Sequence, residues 1–275
     1  MDRAAYYGVP WVRSAILDQC RGRYVCLRFP DRLQRHPGRG EREVTPDMWY
    51  SDFIELMADE GNSPRSVQYW INRGVQEFIP EVTTKWDLDR SDFFVIDLDP
   101  KSPDFNFRQL KIATVVVQRA VVANDNLRVL LLPHFNLRFS GNRSFHLYFR
   151  LKSPLDLVWI REQVKFALDA VTSKTGVLSY RNIKDRNDYI LVDVGAIARH
   201  RCVRSLWSVH HKTNRVCVPL AMEDLMKFDP TTATMEAVLD GDFGQRDINS
   251  CWKIARRREW ATEVRREEVT RQSSG

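Results

Sequence analysis

No apolar run in the sequence approaches the roughly 18–20 residues that span a bilayer. The longest aliphatic stretches are short, such as Leu130–Leu132. The N-terminal MDRAAYYGVPW carries charge but no apolar core, so no secretory leader is expected there. Cysteine is sparse and scattered: Cys20, Cys26, Cys202, Cys217 and Cys251 make an odd number with no CxxC. A structural zinc site needs closely paired ligands, so these read as reduced thiols. Membrane and secreted classes are set aside, and a cytoplasmic, nucleoid-associated protein is expected. Repeats and low-complexity segments are missing too.

The 275 residues, 43% hydrophobic and 28% charged, suffice for one large domain or two small ones with a real core. Lys and Arg number 42 against 36 Asp and Glu, a net charge of +6. The arginines cluster, at Arg32, Arg35, Arg39 and Arg42 and again at Arg256, Arg257, Arg258, Arg265 and Arg266. Guanidinium groups pair bidentately with phosphate, which makes nucleic acid or a polyphosphate the leading partner. A solvated charged surface explains the same charge equally well.

In the first ninety residues the pattern predicts a helix at Ser14–Gln19, a strand at Tyr24–Phe29, a Pro/Gly/Arg loop at His36–Gly40, and helices at Asp47–Ala58 and Val67–Asn72. From Asp92 onward strands dominate. Phe93–Asp99 alternates as a strand; Phe107–Val122 reads as a helix, Arg128–Leu132 and Phe145–Leu151 as strands. Asp156–Thr172 places Leu157, Ile160, Val164, Leu168 and Val171 at helical spacing; Tyr189–Val194 and Val216–Pro219 are strands. Strand–helix–strand–strand–helix–strand is the order of an RRM-like sheet with helices on one face. The last forty residues read as mostly helical, polar and basic.

Three segments carry candidate chemistry. In Val95-Ile96-Asp97-Leu98-Asp99-Pro100, residues two apart share a face of the strand. Asp97 and Asp99 therefore stand side by side while Ile96 and Leu98 enter the core. Adjacent carboxylates repel unless something positive holds them ionised, and a hard dication with oxygen ligands does so. Two such ions about 3.5–4 Å apart clamp the attacking and leaving oxygens in phosphoryl transfer. On this motif alone, two solvated aspartates at a strand end explain the pattern as well. In Ser140-Gly141-Asn142-Arg143-Ser144-Phe145-His146, a small-residue turn feeds a strand and aims backbone N–H groups at phosphate oxygens. Arg143 and His146 add charge and hydrogen bonds, with His146 on the polar face; an ordinary hairpin turn is the alternative. In the third segment Asp193 alternates with apolar Ile190 and Val192, and Arg204, Ser208, His210 and Lys212 follow as phosphate-competent donors.

This ordered set (hhDhDP, SGxRxxH on a strand, then hhD with RxxxSxHxKT) resembles the archaeo-eukaryotic primase superfamily of nucleotidyltransferases over roughly residues 6–230. Val203–Leu220 (VRSLWSVHHKTNRVCVPL) is similar to primase small subunits. Tyr6-Tyr7, Arg28-Phe29-Pro30-Asp31, and Trp70-Ile71-Asn72-Arg73-Gly74 ahead of Glu77 and Pro80 resemble the polymerase domain of bacterial multifunctional end-joining ligases (ligase D type). The resemblance implies an α+β primase-polymerase fold: an RRM-like antiparallel sheet carrying the active site, beside an N-terminal α/β lobe. It implies one catalytic domain over residues 1–230, divided near residue 90, and a helical basic extension over 231–275. Asp97, Asp99 and Asp193 match the family's metal-binding carboxylates, expected to hold two Mn2+ or Mg2+ ions. Ser140, Gly141, Arg143, Ser144 and His146, with Arg204, Ser208, His210 and Lys212, match the positions around the incoming triphosphate.

Arg28, Arg32, Arg35, Asn72 and Arg73 are expected on DNA. The implied activity is template-directed addition of NTPs, or dNTPs, to primer 3′ ends, with gap filling in non-homologous end joining placed ahead of de novo primer synthesis. A DNA ligase and an end-binding protein are the implied partners. The chain departs from the family pattern at Ser144, where many relatives carry glycine, at Asn214, which replaces the glycine after Lys212-Thr213, and at Ile79, where the repair polymerases tend to have histidine. Cysteine and histidine residues able to build the zinc knuckle of replicative primases are missing. From the resemblance, the segment with which the repair polymerases hold a 5′-phosphate is not expected ahead of the tyrosine pair. In Trp252–Arg266, packing through Ile254, Trp260 and Val264 is expected rather than contact along a duplex.

Overall fold

A computed structural model describes residues 1–30, 33–35, 48–50, 55–84, 86–102, 105–183 and 186–243. The Pro/Gly/Arg loop at 36–40, the basic stretch at 252–266, Arg32 and Cys251 lie outside the described residues. Two sheets organise the described residues. The smaller has the order β3-β2-β1-β4, with β1 at Val25–Arg28, β2 at Leu33–Arg35, β3 at Met48–Tyr50 and β4 at Glu77–Pro80. Helices α1 (Arg3–Tyr7), α2 (Pro10–Cys20) and α3 (Val67–Ile71) accompany it. Pro10 opens α2 at its first turn, where a missing N–H costs nothing. The helix expected at Asp47–Ala58 is corrected: Met48–Tyr50 pairs in parallel with β2 as a strand.

The larger sheet has six strands in the order β10-β6-β7-β5-β9-β8. These are β5 (Arg90–Pro100), β6 (Leu131–Phe139), β7 (Phe145–Asp156), β8 (Leu178–Ser179), β9 (Ile190–Asp193) and β10 (Val218–Leu220). Helix α4 (Phe107–Ala123) lies between β5 and β6, and α6 (Leu157–Thr175) follows β7; the single turn α5 is Asp125–Arg128 and α7 is Met235–Leu239. The βαββαβ order and the β6-β7-β5-β9 neighbourhood are those of the RRM-like sheet the pattern predicts. Asn106 caps α4 by accepting from Arg108 N at 2.8 Å, and Asp156 caps α6 by accepting from Trp159 N at 2.8 Å. These caps fix where strand gives way to helix.

Alternation in β5 and β7 separates two environments. Phe94, Ile96 and Leu98, with Phe145, Leu147 and Phe149, enter the main core beneath α4 and α6. Phe149 stacks on Phe94 at 5.1 Å between ring centroids and on Phe135 at 5.9 Å. Phe149→Ala is expected to cost about 3–5 kcal/mol by leaving a cavity, measured by urea denaturation. The opposite face is not left to solvent. Phe93, Val95 and Tyr148 form a second apolar cluster with Val82 and Val203, contributed by the segments that join the two sheets.

The sheets are stitched by the chain between β9 and β10. Val203 N donates to Pro80 O at 3.0 Å, Ser205 N to Phe78 O at 3.1 Å, and Val82 N to Arg201 O at 2.7 Å. The 201–205 segment thus runs along β4 on the side away from β1. Tyr7 adds a second stitch, donating its hydroxyl to Gln76 O at 2.7 Å and accepting from Val209 N at 2.8 Å.

Candidate active site

Register places the acidic residues. In β5, Asp97 lies opposite His146 of β7 on one side and opposite Asp193 of β9 on the other. Directly opposed residues of an antiparallel pair share a face, so His146, Asp97 and Asp193 form a row across three strands, with Asp99 two residues along β5. Beneath the row, Ile96, Leu98 and Val192 are fully buried. The Asp193 carboxylate is fixed by Gly195 N, which donates to Oδ1 at 2.6 Å. Asp99 is approached by Lys101 Nζ at 3.5 Å and Arg143 Nε at 3.8 Å.

Asp97 is the most frustrated group of the row. Its side chain keeps 31% of its surface open to the cleft, yet Oδ1 itself is buried and accepts no hydrogen bond. His146 Nε2 stands 3.5 Å away without closing one. Burial, together with the nearby Asp99 and Asp193 carboxylates, pushes Asp97 up to about 7. His146 is driven the other way, to about 3, by burial and the Arg204 and Arg138 guanidiniums, so its ring is neutral. An orphaned oxygen among like charges, in an all-carboxylate donor set, fits a hard dication such as Mg2+ or Mn2+.

A cleft of about 340 Å3 opens over this row, lined by Asp97, Asp99, Asp193, His146, Ser140, Ser144, Arg204 and His210. The turn between β6 and β7 forms one wall. Ser140 Oγ accepts from Ser144 Oγ at 2.8 Å and from the amides of Asn142 and Ser144 at 3.3 Å, which coils the turn around one hydroxyl. Gly141 has φ +83° and touches the His210 loop: a Cβ there would sit 2.9 Å from Arg215 O and 3.2 Å from His210 Cβ. Thr213 Oγ1 donates to Gly141 O across the same contact.

The facing loop holds His210. Its Nδ1 accepts from the amides of Lys212 and Thr213, each at 3.3 Å, so Nε2 carries the proton of the neutral ring. Burial and Arg204 hold the group near 3. Asn214 adopts φ 56°, the left-handed conformation that its replacement of glycine demanded. Ser144 avoids positive φ altogether, which answers the other departure from glycine.

Several expected site residues sit elsewhere. Ser208 is fully buried; its hydroxyl accepts from Phe78 N at 3.0 Å and lies 3.5 Å from Tyr7 Oη, so it braces β4 rather than facing the cleft. Lys212 is exposed, outside the lining of the cleft. Arg28, expected on DNA, turns inward, its Nε 3.8 Å from Glu77 Oε1. Asn72 and Arg73 are exposed at the end of α3, with Arg73 over the Tyr69 ring at 3.5 Å from the centroid. Arg35 lies in β2. The reading of the sequence missed Asn142, Ile79, Ala196, Arg201, Cys202 and Val203, which complete the lining. The run Arg199-His200-Arg201 was the available signal. It also gave Glu77 no role: burial alone would raise this carboxyl, but Arg204 and the hydrogen bonds from His211 outweigh it and hold it at about 2.

Residues 6–246 match the family described as LigD, primase-polymerase domain. The chain belongs to that family. Its membership makes it a nucleotidyltransferase of the primase-polymerase kind, as the motifs around Asp97, Ser140 and Asp193 implied. Among solved structures, the polymerase domain of Mycobacterium tuberculosis Ligase D, in complex with DNA, is similar at TM-score 0.63 and 16% identity over 86% of each chain. A cyanophage S-2L primase-polymerase domain is similar at TM-score 0.36 and 16% identity, over 82% of this chain and 93% of that one. No match is found among curated proteins. Among the described residues, no helix of this LigD-type domain is long and apolar enough to cross a membrane.

Proposed function

We propose that the chain extends primer 3′ ends on a DNA template by two-metal phosphoryl transfer, filling gaps at broken ends during non-homologous end joining and preferring NTPs. The observation that carries the reading is the Asp97–Asp193–Asp99 constellation, held in register across β5 and β9 at the floor of a cleft walled by Ser140, His210 and Arg204.

Asp97, Asp99 and Asp193 would hold the cations, Mg2+ or Mn2+, which when bound acidify the primer hydroxyl and neutralise charge on the leaving pyrophosphate. The bond from the primer 3′ oxygen to the α-phosphorus forms as the bridge to the β-phosphate breaks. The chain's own groups position the reactants. Neutral His210 offers Nε2–H, the Ser140–Ser144 turn offers hydroxyls and amides, and Arg143 at the rim adds positive charge. Residues 1–230 act as one catalytic domain, because the N-terminal sheet supplies part of the cleft wall. DNA binding follows the M. tuberculosis relative's complex; a ligase and an end-binding protein are the partners that end joining requires.

The experiment is extension on three labelled DNAs: a primer-template, a gap with a downstream 5′-phosphate, and an unprimed strand. Each is tested with NTPs or dNTPs and with Mn2+ or Mg2+. Template-dependent incorporation that rises with the 5′-phosphate is expected. Products on the unprimed strand would move the assignment to a primase, and DNA binding without incorporation on any substrate would overturn it.

A further inference from the structure

Glu77 opens β4 with a side chain that is 0% exposed, and its two oxygens are fully committed. Oε2 accepts from Arg204 Nη2 at 2.9 Å and from Arg204 Nε at 3.1 Å, two charge-assisted bonds converging on one oxygen. Oε1 accepts from the His211 amide at 2.7 Å and from His211 Nδ1. An ionised carboxylate only accepts, so His211 carries its proton on Nδ1. Arg204 passes the restraint onward by donating Nη1 to the Ser140 carbonyl, at the start of the turn. From the other side, His211 belongs to the loop whose Thr213 hydroxyl reaches Gly141 O. One buried carboxylate thereby ties together the two walls of the cleft, one from the turn between β6 and β7 and one from the segment between β9 and β10.

Glu77, His210 and His211 also bring potential metal-ligand atoms within 4.8 Å of one another. That grouping does not make a metal centre. Both Glu77 oxygens already face a guanidinium or a histidine N–H, and the His210 Nδ1 lone pair is taken by two amides. A cation entering there would meet Arg204 at contact distance. The chemistry is that of an anionic anchor for cationic and amide donors.

We infer that Glu77 is a positioning residue for the nucleotide: it sets Arg204, the Ser140–Ser144 turn and the His210–Thr213 loop in the one arrangement that receives the triphosphate, without touching the nucleotide itself. This rests on the polymerase reading above and deepens it. Glu77 sits at the far side of Arg204 from the cleft, and it is absent from the cleft lining while Arg204 and His210 are present. Its loss therefore acts on nucleotide affinity, whereas the Asp97 row and the DNA-facing surfaces keep their geometry.

The test is titration calorimetry of the full chain with Mn2+-NTP in the absence of DNA, alongside primer-template binding and steady-state extension. Glu77→Gln keeps the shape and removes the charge. It is expected to weaken nucleotide binding, and raise KM for NTP, by about tenfold or more. At saturating NTP, kcat stays within about fivefold and primer-template affinity within about twofold, since neither depends on the anchor. Glu77→Asp, which keeps the charge one methylene short, should recover part of the affinity. Wild-type nucleotide affinity in Glu77→Gln would overturn the inference, and so would parallel losses of nucleotide and DNA binding. Arg204→Lys decides the matter if Glu77→Gln does not fold, because a single ammonium cannot replace the planar fork that bonds Oε2 twice and reaches the Ser140 carbonyl as well. It should lose nucleotide affinity to a similar extent, and unchanged affinity would be equally fatal. A wild-type chain that binds nucleotide but incorporates none would remove the polymerase reading while leaving the Glu77 comparison intact.

Discussion

Asp97→Asn is expected to lower nucleotide incorporation by about a thousandfold or more, while primer-template affinity stays within about twofold. On the proposed two-metal reading the carboxylate would hold the cations and would take no part in docking DNA. The same substitution has a second, opposite effect on stability. The Asp97 group is raised from 3.8 to about 7 by burial and by Asp99 and Asp193. The folded chain therefore holds a proton that the unfolded chain releases between those values, and stability falls as pH rises from about 4 through 7. In chelator at pH 8 the full penalty is present, about 1–2 kcal/mol after allowing for water in the cleft. Asparagine removes it. The variant should thus melt a few degrees above wild type at pH 8 without metal, the gap closing near pH 4. Added Mn2+ should stabilise wild type and leave the variant nearly unmoved. Thermal melts across pH with and without Mn2+ check this, and a variant less stable than wild type in chelator at pH 8 would count against a frustrated carboxylate.

Gly141→Ala is expected to cost about 2–3 kcal/mol in stability and to lower incorporation by about a hundredfold. The backbone sits at φ +83°, and the added methyl would lie 2.9 Å from the Arg215 carbonyl, an atom that cannot swing aside. Relief requires the turn and the His210 loop to part, which opens the contact that closes the cleft wall. The comparison is Gly176→Ala at the end of α6, where φ is +60° but nothing lies within 4 Å of the new methyl. That variant should show the conformational cost alone, with incorporation near wild type. Urea midpoints and extension rates on both variants separate strain from displacement. Equal activities would mean that the turn and the loop need not touch.

Local pattern made the catalytic lobe largely legible. The alternation in Phe93–Asp99 is that of a strand with one face in a core, and β5 occupies Arg90–Pro100. The helical spacing of Leu157, Ile160, Val164 and Leu168 marked α6, which spans Leu157–Thr175. β6 was harder. The strand expected at Arg128–Leu132 begins at the end of the α5 turn and stops short, because β6 spans Leu131–Phe139 and absorbs Pro133 in a register shift between Leu131 and Phe135. Met48–Tyr50 shows the complementary failure, since pairing with a distant strand overrode the local helical period.

In the site, the aspartates were readable because a two-residue period fixes their face. Ser208, Arg28 and Glu77 were not, because each is defined by a partner more than forty residues away: Phe78 for Ser208, Glu77 for Arg28, and Arg204 with His211 for Glu77. No spacing rule in one sequence encodes such pairs.

The stitching of residues 201–205 along β4 has a consequence for how the chain comes into being. β4 is made early in synthesis, yet its neighbour on the side away from β1 is delivered more than a hundred residues later. A nascent chain that ends before residue 201 has the aspartate row but an unfinished neighbour sheet, with the Phe78 and Pro80 carbonyls of β4 still unpaired. Closing so long a loop is slow relative to local pairing. Competence to bind nucleotide therefore arrives as a late, single event in folding, and a fragment trimmed to the βαββαβ core would carry the carboxylates without the vessel that makes them useful.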